Sequence, residues 1–113
     1  MKTRKRRMMR PQGIVPKRDG HTRSAIERQE QRERIYYRDG GHCVVCRARH
    51  SLRSCTIAHR IMDAKWTRRK YGNDVIDADE NKCLTCPGDC NDAVLVSFNP
   101  TKCAEIVAKV RGE

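Results

Sequence analysis

The sequence predicts a small α+β domain in which two short strands are clamped side by side, behind a basic N-terminal arm. Two cysteine pairs, Cys43/Cys46 and Cys86/Cys90, lie about forty residues apart, and two such pairs can close one tetrahedral Zn²⁺ site. Only 37% of the 113 residues are hydrophobic and 4% are aromatic. So thin a core in a chain this short favours a structural metal. The net charge of +11 is concentrated in residues 1–50, which hold 15 Lys and Arg against 5 Asp and Glu.

The basic arm is predicted to span residues 1–23, followed by one domain over residues 24–113. Arg4, Lys5, Arg6 and Arg7 crowd its start, and proline and glycine residues interrupt any helix. Because like charges at this density repel each other, we expect the arm to be disordered until it meets a phosphate backbone. These four residues are therefore assigned to DNA contact in preference to a purely solubilising role.

The composition also indicates a compartment and a class of partner. The basic charge favours DNA, does not exclude RNA, and disfavours a membrane because no basic amphipathic helix or apolar span is present. The cysteine count of seven is odd, and the basic N-terminus leads into no apolar run typical of a signal peptide. We therefore expect a reducing cytoplasmic compartment, no secretion, and thiols that act as metal ligands.

The first half of the domain is predicted to hold a helix, a strand and a second helix. The helix spans residues 24–38, opened by a Ser24/Glu27 capping box and ended by the Asp-Gly-Gly at 39–41. The first knuckle (residues 42–50) follows, and then a strand over residues 52–58 that ends at His59. A helix over residues 63–71 is expected to be capped by Asp63, ended by Gly72, and anchored by Trp66 and Tyr71.

The second half is predicted to continue with a connection, a strand and two helices. Residues 75–80 read as an acidic connection, residues 81–86 as the second strand, and residues 91–98 as a helix. The dipeptide Asn99-Pro100 is typical of a helix start and opens a last helix over residues 99–111. The apolar stripe of that helix consists of Cys103, Ile106, Val107 and Val110.

The order of the polar residues between the cysteine pairs resembles that of the HNH endonuclease family. The residues that carry the resemblance are Arg38-Asp-Gly-Gly-His-Cys-Val-Val-Cys46, then Thr56-Ile-Ala-His59-Arg-Ile, then Asn81, then Cys86-Pro-Gly-Asp-Cys90-Asn91. The resemblance covers residues 35–98 and implies a ββα-metal fold stapled by zinc. It also favours Cys86/Cys90 over the competing pair Cys83/Cys86, because Asn91 then directly follows the last cysteine.

The resemblance implies a mechanism as well as a fold. His59 would be the general base for phosphodiester hydrolysis in DNA, and Asn81 would hold the loop that positions it. Asn91 and Asp92 would bind a catalytic Mg²⁺ or Mn²⁺. Cys43, Cys46, Cys86 and Cys90 would bind the structural zinc. The sequence departs from the family at Ala58, where many members carry a metal-binding Asp or His; Asp63 is a further candidate for the missing ligand.

Each of these residues also has a plainer interpretation. His59 could be an ordinary packed histidine, Asn81 a turn residue and Asn91 a helix N-cap. His42 or His50 could replace a cysteine on zinc, and Cys55 and Cys103 are most simply buried. Four further cations are candidates for phosphate contact or for a merely solvated helix face: Arg60, Arg68, Arg69 and Lys70.

Two functions besides catalysis stay open at this point. One is a non-catalytic, zinc-stapled DNA-binding module derived from a nuclease, which Ala58 favours. The other is an interaction protein that docks onto a larger nucleic-acid machinery through the arm and the last helix.

Overall fold

The computed structural model describes residues 24–113, a small α+β domain with one two-stranded sheet, as predicted. The predicted arm, with Arg4, Lys5, Arg6 and Arg7, lies outside the described residues. The elements in chain order are α1 (Ala25–Arg38), β1 (Thr56–His59), α2 (Lys65–Tyr71), α3 (Asn73–Ile76), a 3₁₀ turn (Asp79–Asn81), β2 (Lys82–Thr85), α4 (Asp89–Ala93) and α5 (Pro100–Arg111).

Helix α1 begins with the predicted capping box. The Ser24 hydroxyl accepts from the Glu27 amide at 3.1 Å, and the Ser24 amide donates to Glu27 Oε1 at 3.0 Å. Two of its side chains, Gln31 and Ile35, are buried against the sheet side of the domain. The helix therefore touches the core along one narrow stripe.

The sheet is antiparallel, with Ile57 opposite Leu84 and His59 opposite Lys82. Strand β1 is shorter than predicted because residues 52–54 form a turn, and Arg32 donates to the carbonyl groups of Leu52 and Arg53 there.

The outer edge of β2 is covered by the segment that follows α1. At the middle of this edge, the Val44 amide donates to the Leu84 carbonyl at 2.9 Å. The Leu84 amide donates to Asp39 Oδ2, also at 2.9 Å. Both backbone groups of Leu84 are thus paired outside the sheet.

Helix α2 begins at Lys65 rather than at Asp63, so the predicted cap is wrong. Ala64 occupies the N-cap position, and its amide donates to Thr67 Oγ1 at 3.0 Å. The Asp63 carboxylate instead accepts from Arg68 Nε at 2.7 Å. Gly72 ends the helix as predicted, with φ of 101°.

Two further boundaries differ from the prediction. The acidic connection predicted at residues 75–80 instead contains the end of α3, which buries Val75 and Ile76, and the start of the 3₁₀ turn. Helix α4 covers only Asp89–Ala93, opened by Gly88 at φ of 82°, so Asn91 lies inside the helix and is not its N-cap. Beyond α4, the Val96 amide donates to the Arg60 carbonyl at 2.8 Å, which ties this segment to the loop after β1.

The apolar core sits between α3, α5 and the loop after β1. Ile61, Val75, Ile76, Cys103 and Ile106 are buried together. The predicted stripe of α5 is confirmed, since Val107 and Val110 also pack against this cluster. Asn99 caps α5 by accepting from the Lys102 amide at 3.1 Å, as predicted.

Trp66 is the exception among the predicted anchors, since it is 38% exposed. Among residues 24–113, no helix combines the length and the apolar character that crossing a membrane requires.

Candidate functional site

The four predicted zinc ligands form one cluster. The Sγ atoms of Cys43, Cys46, Cys86 and Cys90 all lie within 4.8 Å of one another, and those of Cys46 and Cys86 are 3.5 Å apart. Tetrahedral Zn²⁺ with Zn–S bonds of about 2.3 Å requires Sγ atoms about 3.8 Å apart. The cluster therefore fits a zinc ion with a small contraction.

The first knuckle turns its backbone amides toward Cys43. The amides of Val45 and Cys46 donate to Cys43 Sγ at 3.4 and 3.5 Å. Burial raises the pKa of the Cys43 thiol, but hydrogen bonds from the backbone amides of Cys46, Cys86 and Val45 together lower it to about 6. Arg47 closes the turn with a left-handed φ of 70°. This loop is therefore shaped to hold a thiolate.

The second pair of cysteines shows why the cluster suits a cation. Two causes raise the pKa of Cys86 to about 12: mainly its hydrogen bond with Cys46, and next its removal from water. Removal from water and hydrogen bonds with Cys43 and Cys46 raise that of Cys90 to about 11. Several thiolates this close repel each other unless a metal ion neutralises them, so metal binding here would release protons.

The alternatives for the cluster are also resolved by position. Cys83 lies in β2 opposite Ala58 and is not a member of the cluster, so the pair is Cys86/Cys90. His50 lies beside the cluster, with Nε2 at 3.2 Å from Cys86 Sγ. A histidine there can hydrogen-bond a ligating thiolate and orient it.

His59 ends β1 and lines a cavity of about 320 Å³ between α1 and the sheet, which we call the His59 cavity. Other residues that line it are Arg28, Gln31, Arg32, Ile35, Ile57 and Lys82. Burial and then the positive charge of Lys82 lower the pKa of His59, and the charges of Asp63 and Asp77 oppose the shift only in part. The imidazole is therefore neutral at pH 7 and can accept a proton.

Lys82 is the cross-strand neighbour of His59 and is only 7% exposed. Its Nζ donates to Gln31 Oε1 at 2.7 Å. Gln31 in turn donates to the Asp77 carbonyl at 2.6 Å and to Asp79 Oδ1 at 2.8 Å. This series of hydrogen bonds holds the Lys82 ammonium group beside His59.

Asn81 is fully buried and clamps the loop that follows His59. Its Oδ1 accepts from the Ile61 amide at 2.7 Å, and its Nδ2 donates to the carbonyls of Ile61 and Ile76 at 3.0 and 3.1 Å. The Arg60 amide donates to the Asn81 carbonyl at 2.8 Å. Three of these four bonds are to Arg60 or Ile61, within two residues of His59, which suits a positioning residue better than a plain turn residue.

The residues expected to bind a catalytic metal, Asn91 and Asp92, do not line the cavity that His59 lines. Asn91 is half-buried and Asp92 exposed in α4, and neither lines the His59 cavity. Helix α4 instead contributes Ala93 to a cavity of about 720 Å³ that Arg60 also lines. Ala58 is buried at 2% exposure and offers only a methyl group.

The two carboxylates whose charges act on His59, Asp63 and Asp77, both pair with Arg68. Arg68 Nη2 is 2.7 Å from Asp77 Oδ1, and Arg68 Nε is 2.7 Å from Asp63 Oδ1. Within residues 24–113, no group of three or more His, Cys, Asp or Glu ligand atoms surrounds a common point at His59.

The four cations proposed for phosphate contact differ in their surroundings. Arg68 is the one committed to the domain itself, through Asp63 and Asp77, whereas Arg69 and Lys70 are exposed on α2. Arg60 lines the larger cavity together with Lys102 and Lys109, and within residues 24–113 its buried Nε has no hydrogen-bond partner. The Arg60 guanidinium thus keeps a donor that no group of the described residues uses.

Three cations of the His59 cavity, Arg28, Arg32 and Lys82, were not singled out from the sequence. Lys82 carried a usable signal, because a charged residue directly after Asn81 falls opposite His59 once the two strands pair antiparallel. Arg28 and Arg32 are one helical turn apart on α1 and carried no signal beyond their charge.

No family model matches the sequence, and no curated protein or solved structure is significantly similar to it.

Proposed function

We propose that this chain is a zinc-stapled endonuclease of the HNH type that hydrolyses phosphodiester bonds in DNA, with His59 as the general base. The observation that carries the proposal is the lowered pKa of His59 in a cavity lined by three cations. The order of elements supports it too: β1 ends at His59, β2 follows Asn81, and the second cysteine pair leads into α4.

The proposed chemistry uses the residues of the His59 cavity. His59 takes a proton from a water molecule, the resulting hydroxide attacks phosphorus, and the bond to the departing oxygen breaks as that oxygen takes a proton from solvent water. Arg28, Arg32 and Lys82 would face the negative charge that develops on the phosphate. Asn81 keeps the backbone after His59 in place but does not touch the substrate.

The four-cysteine cluster has a structural part in this proposal. Cys43, Cys46, Cys86 and Cys90 would hold the zinc, which supplies a crosslink between the first knuckle and the end of β2. A thiol-only ligand set of this kind leaves no open position for a substrate. The intact cluster also suits a reducing compartment such as the cytoplasm.

The family resemblance implies a catalytic Mg²⁺ or Mn²⁺, but among the described residues no group of three or more potential ligands lies at His59. No step of the proposal is therefore assigned to a second metal. The cations of the His59 cavity take the place of that ion in balancing the charge of the phosphate.

A plasmid-nicking assay tests the proposal. The zinc-loaded wild type is compared with His59→Ala and with His42→Ala, a half-buried histidine outside the His59 cavity. We expect nicking by the wild type and His42→Ala, and a loss of about 100-fold or more in His59→Ala. Parallel reactions with Mg²⁺, Mn²⁺ or neither show whether a second metal is needed. Intact supercoiled plasmid under all conditions with the wild type would refute catalysis.

A second candidate function is a non-catalytic DNA-binding module. It is favoured by the methyl group at Ala58 and by the engagement of Asp63 and Asp77 with Arg68. This candidate predicts salt-sensitive DNA binding without cleavage, and equal binding by wild type and His59→Ala. A role as one part of a larger nucleic-acid machinery is compatible with either function, and a defined partner in a pull-down would indicate it.

A further inference from the structure

Two large aromatic rings stack on each other at the surface of the domain. The ring centroids of Trp66 and Phe98 are 5.6 Å apart, with an interplanar angle of 21°. Phe98 is 85% exposed and Trp66 is 38% exposed. They are the only tryptophan and the only phenylalanine of the chain. Since large aromatic side chains ordinarily supply core packing, their exposure in a chain with so thin a core calls for a function.

Both rings stand on anchored backbone. Next to Phe98, Ser97 is 6% exposed and its hydroxyl accepts from the Met62 amide at 2.9 Å. Next to Trp66, Thr67 is fully buried and its hydroxyl donates to the Met62 carbonyl at 2.6 Å. The stack therefore holds an outer aromatic face, chiefly that of Phe98, ready for a ligand, with little ordering left to do.

The surroundings of the pair are cationic. Helix α2 has no acidic residue in its first turn, and Lys65, Arg69 and Lys70 are exposed along it. A shallow cavity of about 330 Å³ beside the rings is lined by Lys70, Tyr71, Ser97 and Pro100. An exposed aromatic face within a group of cations matches a ligand that has both a flat ring and a negative charge.

We infer that Trp66 and Phe98 form a stacking platform for unpaired bases of single-stranded DNA, and that Lys65, Arg69 and Lys70 bind the adjoining phosphates. Bases within a duplex are covered on both faces by their neighbours, so only unpaired bases can stack on the platform. This inference concerns strand binding and does not depend on His59 or on phosphodiester hydrolysis.

The fluorescence of Trp66 reports directly on binding at the platform, because Trp66 is the single tryptophan of the chain. The zinc-loaded full chain, without added divalent ions, is titrated with an oligothymidylate of about eight nucleotides, followed by fluorescence. The same titration uses an abasic oligonucleotide of equal length, the corresponding oligouridylate, and a duplex. We expect strong quenching by oligothymidylate, little quenching by the abasic strand, and weaker binding of the duplex and of the RNA.

Phe98→Leu is the test variant and Tyr37→Leu the matched control, because Tyr37 is 70% exposed on α1 and lies outside the platform. Phe98→Leu should weaken oligothymidylate binding at least about fivefold, which is the lower bound for loss of one stacked base. Tyr37→Leu and His59→Ala should bind like the wild type. The platform would be overturned if the abasic strand or the duplex bound as tightly as oligothymidylate, or if Phe98→Leu bound oligothymidylate as tightly as the wild type does. Tighter binding of the RNA than of the DNA would overturn DNA as the ligand.

Discussion

Asn81 shows how much one side chain can order in this domain. It is fully buried, and its amide bonds to backbone groups of Ile61 and Ile76, which belong to two different segments. A buried backbone group without a hydrogen-bond partner costs free energy. The loop after β1 can therefore lie inside the protein because the Asn81 side chain supplies those partners. The placement of His59 depends on this loop.

Replacing Asn81 should therefore cost stability through specific lost bonds. We expect Asn81→Ala to lower the free energy of unfolding by about 3 kcal/mol, because two carbonyl groups and one amide lose their partner in the interior. Denaturant unfolding of zinc-saturated protein, followed by Trp66 fluorescence, measures the change. Asn91→Ala is the control and should change stability by less than about 0.5 kcal/mol, since Asn91 is half-buried in α4. Equal losses in both variants would contradict the special role of Asn81.

At the scale of elements, the four-cysteine cluster joins the first knuckle to the end of β2. The core of Ile61, Val75, Ile76, Cys103 and Ile106 lies near α3 and α5. The knuckle contributes no residue to that core, so the metal proposed for the cluster would help to fix its position, together with the Val44–Leu84 backbone bond.

Removal of one ligand should separate the two ends of the cluster. We expect the wild type and Cys55→Ser to bind one Zn²⁺ per chain. Cys46→Ser should lose most of its bound zinc on dialysis, because three thiolates leave the tetrahedral set incomplete. Cys55 is the matched control, being a cysteine outside the cluster whose thiol donates to the Leu52 carbonyl. Elemental analysis after dialysis gives the zinc content. Full zinc retention by Cys46→Ser would mean that another residue, such as His50, completes the site.

The accuracy of the sequence predictions differs between elements for physical reasons. The starts of α1 and α5 were predicted because their caps, Ser24 and Asn99, are local signals. The start of α2 was misplaced because Asp63 pairs with Arg68, and α3 was missed because a four-residue helix depends on the burial of Val75 and Ile76. Tertiary contacts decide such positions, and local patterns do not carry them.

The candidate site divides in the same way. Spacing predicted two cysteine pairs that share one ion, and the family resemblance favoured Cys86/Cys90 over the competing pair Cys83/Cys86. The surroundings of His59 could not be predicted, since Arg28 and Arg32 approach it only through the docking of α1 on the sheet. The family resemblance implied Asn91 and Asp92 as ligands near His59, and the short α4 places neither in its cavity.

On the scale of the whole molecule, charge is the property that sets its partners. Residues 1–23 hold 9 of the 25 Lys and Arg and a single acidic residue. Within residues 24–113, much of the positive charge on the surface is balanced by ion pairs such as Arg34–Asp79 and Arg111–Asp74. The arm is therefore expected to supply most of the non-specific attraction to DNA.

The salt dependence of DNA binding tests this expectation. We predict that the double variant Arg6→Ala/Arg7→Ala lowers the slope of log K against log salt by roughly 2, since each lost phosphate contact contributes about 0.9. Arg111→Ala also removes a positive charge, but one that Asp74 already pairs at 3.2 Å, so its slope should equal that of the wild type. Fluorescence anisotropy with labelled duplex at several salt concentrations supplies the slopes. The same slope in all three proteins would exclude the arm from the interface.

The covered edge of β2 links metal content to self-association. Val44 belongs to the first knuckle, and its amide closes the outer edge of the strand at Leu84. Without metal, the knuckle would lose one of its ties to β2, and its departure would uncover the Leu84 carbonyl for pairing with a strand from a second copy of the chain. Chelation should therefore produce aggregates detectable by light scattering before the α5 side of the domain unfolds. In a cell, shortage of the metal proposed for the four-cysteine cluster would then lower the amount of this protein through aggregation.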